Sequence, residues 1–298
     1  MCTTSETNPF LLGHDAAYLR WRAHKLAHYP TTIQELTVPI QDPCQLTPQE
    51  KNKLISLCAK TNFAIYEIHS EVPVNKFELH ALTNQLGLHR LDHNLCADEE
   101  GVTALQVTLP GKRHDYIPYT NRPINWHTDG YYNTLEQQVQ ALLLHCVRPA
   151  LQGGENMLLD HEIAYIQLRD ENPTYIEALM ENEVMTIPSN IEGGVELRSA
   201  QTGPVFSVVY PEGFLHMRYT ARTRSIQWNS HPIVSAALDY LTHLFHSSPY
   251  VFQHKLAAHQ GIIGNNILHN RTGFSDSPLP EQQRLLYRMR FYDRIEGT

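Results

Sequence analysis

Apolar and polar positions alternate in two textures along the chain. In the first third, apolar residues recur at mixed helical spacing from Asp15 to His28. Thr47-Pro48 then opens a run to Lys60 as an N-cap followed by a proline in the first turn, and Asn75 can cap a third helix from Lys76 to Leu86. Between the last two lies Asn62-Phe-Ala-Ile-Tyr-Glu-Ile68, a short β-branched and aromatic run that predicts a strand. From about Thr103 the pattern shortens. TALQVTL, QVQALLLHCV, ENMLLD, NEVMTIP, PVFSVVY, FLHMRYT, VFQHKLAA and LLYRMRFY are strand-length segments separated by Gly, Pro and Asn. Pro211-Glu212-Gly213, between two of them, predicts a hairpin turn. Two helices interrupt: His161 to Asp170 continuing to Met180, and Pro232 to Phe245 capped by Ser230.

Strands that follow strands without an intervening helix fit a double-sheet jelly roll better than βαβ units. The expected organisation is one mainly β domain over residues 1–298 with helical decoration: a helical N-terminal extension, 1–61, and a β core with helical insertions, 62–298. Such a core leaves an open mouth between its sheets, where a metal or ligand would sit.

Composition narrows the partners. The 298 residues are 42% hydrophobic and 18% charged, enough to bury a sizeable core. Lys and Arg total 23 against 31 acidic residues, a formal charge of −8, which argues against a nucleic-acid footprint or an anionic membrane surface and leaves a small diffusible substrate. A homo-oligomer is compatible with all of this. The five cysteines are widely spaced with no CxxC pair, so neither a disulfide framework nor a cysteine zinc site is expected, and the compartment reads as reducing. The first residues lack the order of a signal peptide and the longest apolar run, Ala141 to Val147, is interrupted by His145, so a cytoplasmic location is expected.

Common catalytic motifs are missing. There is no GxGxxG, Walker loop, GxSxG or HExxH; His161-Glu162 runs on into Ile163, Ala164 and Tyr165. What remains is Asn125-Trp-His127-Thr-Asp129-Gly130, an HxD at a strand end. Residues i and i+2 of a strand share a face, so His127 and Asp129 can reach one cation, supplying two ligands of a 2-His-1-carboxylate facial triad. Alone the motif is weak, since a chain with 18 histidines holds about one HxD by chance, and an Asx turn explains it equally well. His69-Ser70-Glu71 has a similar HxE pattern but precedes Val72-Pro73 and reads as a loop.

The C-terminal segments sharpen the reading. Asn265-Asn-Ile-Leu-His269-Asn-Arg271 is followed by Arg284-Leu-Leu-Tyr-Arg288-Met-Arg290. With the HxD upstream, their order and wide separation resemble the taurine dioxygenase and γ-butyrobetaine hydroxylase-like branch of the iron(II)/2-oxoglutarate-dependent oxygenases, over roughly Asn62 to Arg294. The resemblance implies a double-stranded β-helix core in which His127, Asp129 and His269 hold Fe(II). It implies that Arg284 binds the far carboxylate of 2-oxoglutarate and that Arg288 faces substrate. Gly153-Gly154-Glu155-Asn156 resembles the family's Gly-Gly-acidic-Thr/Ser stretch, with Asn156 in place of the hydroxyl residue; an amide N–H₂ also donates to a carboxylate. The implied reaction uses O2, releases succinate and CO2, and by default hydroxylates the substrate. Asp129 argues against a halogenase, which would vacate that position for chloride.

Elementary chemistry points the same way. A ferrous ion with one carboxylate stays cationic and accepts an anionic keto acid as a chelate, and the far carboxylate then needs a charge-assisted, bidentate partner. Arg284, Arg288 and Arg290 share strand parity, so alternation leaves the choice among them open, and the resemblance favours Arg284. Tyr131, Tyr132, Arg218 and Arg222 form a candidate substrate wall, although hairpin aromatics and exposed basic residues would explain them as well. An arginine among 218, 222 and 288 that faces the cavity would imply an anionic or amino-acid-like substrate. Two alternatives stand beside the oxygenase: a zinc-dependent cupin-like hydrolase or isomerase using the same His₂Asp set, and a non-catalytic small-molecule binding protein.

Overall fold

The computed structural model describes residues 8–93, 100–108 and 117–298. Cys2, Cys96 and the end of TALQVTL at Leu109 lie outside them. The chain groups into two compact units, each assembled from separate segments.

The first unit, residues 30–129, 139–158 and 252–298, contains two sheets. One has six strands in the order Thr37–Ile40, Phe63–Ile68, Gln260–Gly264, Ala141–Arg148, Leu285–Phe291 and Thr103–Leu105. The other has four: Phe252–His254, Asn156–Leu159, Leu268–Arg271 and Ile124–His127. Ala141–Arg148 is buried from Ala141 to Cys146, which is why its sequence reads as a continuous apolar run rather than an alternation. Phe63 and Phe252 meet edge to face, ring centroids 5.9 Å apart, one from each sheet.

The helices of this unit start where the sequence says. Thr47 and Asn75 each form a capping box, with Glu50 and Glu78, and Pro48 occupies the first turn of Pro48–Thr61. That helix ends at Asn62 in the left-handed conformation, φ 60°, and turns directly into Phe63–Ile68. One correction concerns the helical reading of residues 1–61: Thr37–Ile40 is a strand, paired parallel to Phe63–Ile68. It buries Val38 and Ile40 and lies at the sheet edge, where Pro39, without an N–H, is tolerated. The Gln260–Gly264 strand also escapes pattern reading because glycine interrupts it. The ring of Tyr66 lies across Gly261, where an added Cβ would sit 2.2 Å from Cζ.

The second unit comprises 1–29, 130–138 and 159–251. It contains the helices Asp15–Leu26, His161–Glu171, Pro173–Leu179 and Pro232–Ser247, a three-stranded sheet (Gln201–Gly203, Met185–Ile187, Gln227–Trp228) and two hairpins. The Phe206–Val209 and Phe214–Met217 hairpin pairs Val209 with Phe214 around the expected turn. The stretch expected to continue as one helix to Met180 is two, because Asn172 is extended and caps Thr174 while Pro173 starts the next helix. His231, not Ser230, caps Pro232–Ser247, its ring accepting from the Ile233 N–H. Lys25 is buried between Asp160 (2.8 Å) and Glu162 (2.5 Å), with the Tyr29 hydroxyl donating to Asp160. Among the described residues no helix is long and apolar enough to cross a membrane.

Candidate active site

Ile124–His127 and Leu268–Arg271 run antiparallel, with His127 directly opposite His269. The two imidazoles lie 4.3 Å apart, centroid to centroid. Cross-strand pairing therefore brings together residues 142 positions apart in sequence. Asp129 joins them by a different route from the one strand alternation suggests. The strand stops at His127, and Asp129 sits in the turn beyond it. The turn is clamped by Asn266, whose Oδ1 accepts from the Asp129 N–H (2.7 Å) and whose amide donates to the carbonyls of Asp129 (2.9 Å) and Val139 (2.7 Å).

One ligand atom each from His127, Asp129 and His269 lie within 4.8 Å of one another. His127 Nδ1 is 2.8 Å from the Asn125 carbonyl and His269 Nδ1 is 3.0 Å from the Ile267 carbonyl. A carbonyl only accepts, so in both rings Nδ1 carries the proton and Nε2 keeps its lone pair for a metal. Burial, reinforced by the neighbouring His269, pushes the His127 pKa down to about 3, so the ring is neutral, as a ligand must be. Burial opposes ionisation of Asp129, but Arg288 and then Arg290 outweigh it and hold the carboxyl well below its ordinary range. Asp129 Oδ1 lies 3.3 Å from Arg288 Nη1, while Oδ2 is buried without a hydrogen-bond partner. Two imidazoles with Nδ1 committed to backbone carbonyls, one carboxylate and an orphaned buried oxygen fit a divalent cation bound by nitrogen and oxygen.

Beside this cluster a cleft of about 430 Å³ opens between the two sheets, lined among others by His127, His269, Asn156, Arg271, Arg284 and Arg288. The three arginines whose parity leaves them equivalent in sequence part company here. The register shift between Leu285 and Leu286 lies on the partner strand, where Val147 is the extra residue, so Arg284 stays on the cleft face with Arg288 and the three differ in the partners they meet. Arg290 is fully buried against Asp92, and Arg288 faces Asp129. Arg284 is 4% exposed, and among the described residues no side-chain or backbone acceptor meets its guanidinium, which stacks 4.9 Å from the centre of the Phe274 ring. Burial pushes its pKa down to about 10, leaving it cationic at neutrality. Asn156 is buried in the same cleft and donates to the Asn270 carbonyl at 3.1 Å. Gly153 has φ +71°, and a Cβ there would lie 2.2 Å from the Gly273 carbonyl, so glycine permits the pairing with Phe274 that seats that ring.

Two further residues escape the sequence reading of the site. Asn266 is the turn clamp, signalled only by its place three residues before His269. Arg271 also stacks on the Phe274 ring, its guanidinium carbon 4.8 Å from the ring centre, and donates to the Thr120 and Arg122 carbonyls. His69-Ser70-Glu71 lies in a loop, as expected, with Ser70 donating to the Val72 carbonyl.

The remaining candidates belong to the second unit. Arg218 is buried and donates to the carbonyls of Tyr131 (2.8 Å), Met185 (3.1 Å) and Gln201 (2.8 Å), so its guanidinium is committed to backbone. Arg222 donates to the Tyr131 hydroxyl at 3.2 Å, and the rings of Tyr131 and Tyr132 meet edge to face at 5.2 Å.

Comparison with known proteins places this arrangement. Residues 25–290 match the model of the taurine catabolism dioxygenase TauD, TfdA family. The chain belongs to the TauD/TfdA family. Two curated relatives are uridine-5'-phosphate dioxygenases. That of Amycolatopsis sp is 31% identical over 174 residues, covering 57% of this chain and 61% of the relative. That of Streptomyces sp is 32% identical over 200 residues, covering 64% and 69%. The chain thus spans less than two thirds of the length of the first. Among solved structures, a putative α-ketoglutarate-dependent taurine dioxygenase from Burkholderia xenovorans superposes with a TM-score of 0.57 at 17% identity, covering 85% of this chain and 88% of its own. An asparagine oxygenase superposes with a TM-score of 0.59 at 13% identity, covering 86% and 93%. These likenesses establish the fold: the mainly β jelly roll expected from sequence is that of TauD/TfdA proteins.

Proposed function

We propose that this TauD/TfdA protein is an Fe(II)- and 2-oxoglutarate-dependent dioxygenase that oxidises a phosphorylated, nucleotide-like small molecule. The observation that carries the oxygenase reading is Arg284: a buried guanidinium without a protein acceptor, lining the same cleft as a 2-His-1-carboxylate set. Asp276, which accepts the Arg284 backbone N–H, lends charge from nearby, but a buried guanidinium is costly without a direct acceptor, and the far carboxylate of a keto diacid would supply one. Zinc hydrolysis needs the three ligands but gives Arg284 no task.

His127, Asp129 and His269 would hold the iron through two Nε2 atoms and a carboxylate oxygen. Bound iron with 2-oxoglutarate and O2 supplies the oxidising power, at the expense of the keto acid, which leaves as succinate and CO2. The protein's own groups do the rest. The Asn125 and Ile267 carbonyls fix the imidazole tautomers, and Asn266 fixes the turn that aims Asp129. Arg288 keeps Asp129 ionised, and Arg284 with Asn156 orients the cosubstrate, stacking on Phe274 holding the guanidinium in place. The family match runs through segments of both units, which supports reading residues 1–298 as one catalytic domain.

The substrate class comes from the curated relatives, both uridine-5'-phosphate dioxygenases. Substrate-stimulated succinate release tests it. With Fe(II) and 2-oxoglutarate present, uridine 5'-phosphate should raise succinate release and uridine should not; equal stimulation by both, or by neither, contradicts the substrate.

A further inference from the structure

Three guanidiniums converge on the dipeptide Tyr131-Tyr132, within the second unit. Arg218 Nε donates to the Tyr131 carbonyl, and Arg222 Nη1 donates to the Tyr131 hydroxyl while its guanidinium carbon lies 6.0 Å from that ring's centre. Arg198 Nη1 donates to the Tyr132 carbonyl, its guanidinium carbon 5.8 Å from the Tyr132 ring. Among the described residues no carboxylate lies within ion-pair distance of any of the three, in a chain whose formal charge is −8.

The three are not equivalent. Arg218 is buried and bonded to carbonyls along its whole fork, so it belongs to the frame. Arg198 holds the Pro188 carbonyl at 2.8 Å and makes only long contacts, 3.4 Å, to the carbonyls of Tyr132 and Ser199. Among the described residues the Arg222 guanidinium makes one bond, to a neutral hydroxyl, and the rest of its donor fork meets no acceptor. Like charges so placed repel. Burial, with a smaller contribution from the charge of Arg222, pushes the Arg198 pKa down, and burial together with Arg198 lowers that of Arg218 to about 10. Cations gathered without acids are a cost to the empty protein that a bound anion removes.

We propose that Arg198 and Arg222, seated on Tyr131 and Tyr132, form an oxyanion site that takes the phosphomonoester of the substrate. The proposal rests on the dioxygenase reading above and adds to it the residues that select for the phosphate. A phosphomonoester suits the donors better than a carboxylate does. It carries close to two negative charges and three strong acceptor oxygens, which matches two planar guanidiniums. Tyr131 follows Asp129 by two residues, so the same turn sequence that supplies a metal ligand also supplies the platform for these arginines.

The test is calorimetry on the protein loaded anaerobically with Fe(II) and 2-oxoglutarate, with inorganic phosphate, ribose 5-phosphate, ribonate and ribose as probes. Ribose 5-phosphate should bind at least about tenfold more tightly than ribose or ribonate, and added salt should weaken it. Arg222→Gln and Arg198→Gln should each lose about tenfold or more for the phosphorylated probe, with Arg222→Lys in between. Unchanged melting temperatures and an unchanged iron–keto acid absorption band in the variants would show that fold and metal centre are intact. Should a variant fail to fold, the contrast among the four probes on the unsubstituted protein still decides. Equal affinity for ribose 5-phosphate and ribose, equal affinity for ribonate, or full phosphate binding by folded glutamine variants overturns the proposal. Absence of the absorption band would instead count against the dioxygenase reading, and phosphate titration of the metal-free protein would then judge the anion site by itself.

Discussion

In the unit that carries the proposed metal ligands, Arg288 and Arg290 each face a carboxylate, Asp129 and Asp92, and among the described residues the Arg284 guanidinium beside the cluster meets no acceptor. In the other unit, among the described residues, Arg198, Arg218 and Arg222 face carbonyls and phenols and no carboxylate. The difference separates two uses of arginine. Paired with a buried acid, arginine keeps that acid ionised, as Arg288 does for Asp129. Unpaired and half-buried or buried, it marks a place where charge balance must come from a small molecule. On this account the chain has two anion requirements of different kinds, one beside the iron ligands and one on the Tyr131-Tyr132 platform.

The largest expected effect comes from removing the acid that distinguishes the first unit. Asp129→Ala takes away a ligand and leaves Arg288 facing the histidines, so turnover should fall about a thousandfold or more, equivalent to about 4 kcal/mol of barrier, with Fe(II) affinity falling alongside in an anaerobic titration. Retained iron affinity would mean that Asp129 is not a ligand. Next is Arg284→Ala, which should raise the 2-oxoglutarate concentration needed for half-maximal turnover by about a hundredfold, the effect of losing about 2–3 kcal/mol of charge-assisted bonding, while iron binding stays as it was. An unchanged requirement would return Arg284 to the status of a structural residue like Arg218. Asn266→Ala should be milder. It removes three short bonds from a buried turn, at a cost of about 2 kcal/mol in stability, and should lower turnover without altering the 2-oxoglutarate requirement.

The smallest effect concerns pH, and it also sets the first unit apart. Burial depresses His127 to about 3 and His145 to about 4, the latter stacked on Tyr66 with its Nδ1 3.1 Å from the tyrosine hydroxyl. Both pKa values lie below the unfolded value of about 6.5, so the unfolded chain gains protons that the folded one refuses. Stability of the metal-free protein is therefore full above pH 6.5 and declines as pH falls toward 4. His145→Phe removes one of these protons, and thermal melts across that range should show a shallower decline. An unaltered slope would place the titration elsewhere.

How much of this was readable in the chain depends on the range of the interaction. Helix starts at Thr47 and Asn75 were legible because capping boxes are local, and the 206–217 hairpin because its turn residues are. The edge strand at Thr37–Ile40 and the Gln260–Gly264 strand were not, since one is short and holds a proline and the other holds glycines that only Tyr66 and its neighbours explain. At the site, His127, Asp129, His269, Arg284 and Asn156 could be named from order and spacing by resemblance. The reason Asp129 reaches His127 could not, because it is Asn266, 137 residues away, that shapes the turn. Nor could parity separate Arg284 from Arg288 and Arg290, since what does so is the acid that each of the latter meets in the fold, Asp129 for Arg288 and Asp92 for Arg290. Arg198 carries no local signal and acquires its meaning only from its neighbours.

The central claim is that His127, Asp129 and His269 hold a ferrous ion beside a keto diacid anchored by Arg284. Anaerobic addition of Fe(II) and then 2-oxoglutarate to the purified protein tests it most directly. The account predicts a visible metal-to-ligand charge-transfer band that saturates with 2-oxoglutarate, disappears in His269→Ala, and needs far more 2-oxoglutarate to appear in Arg284→Ala. Stoichiometric metal binding with no such band at saturating 2-oxoglutarate would contradict it and would favour zinc chemistry at the same three residues.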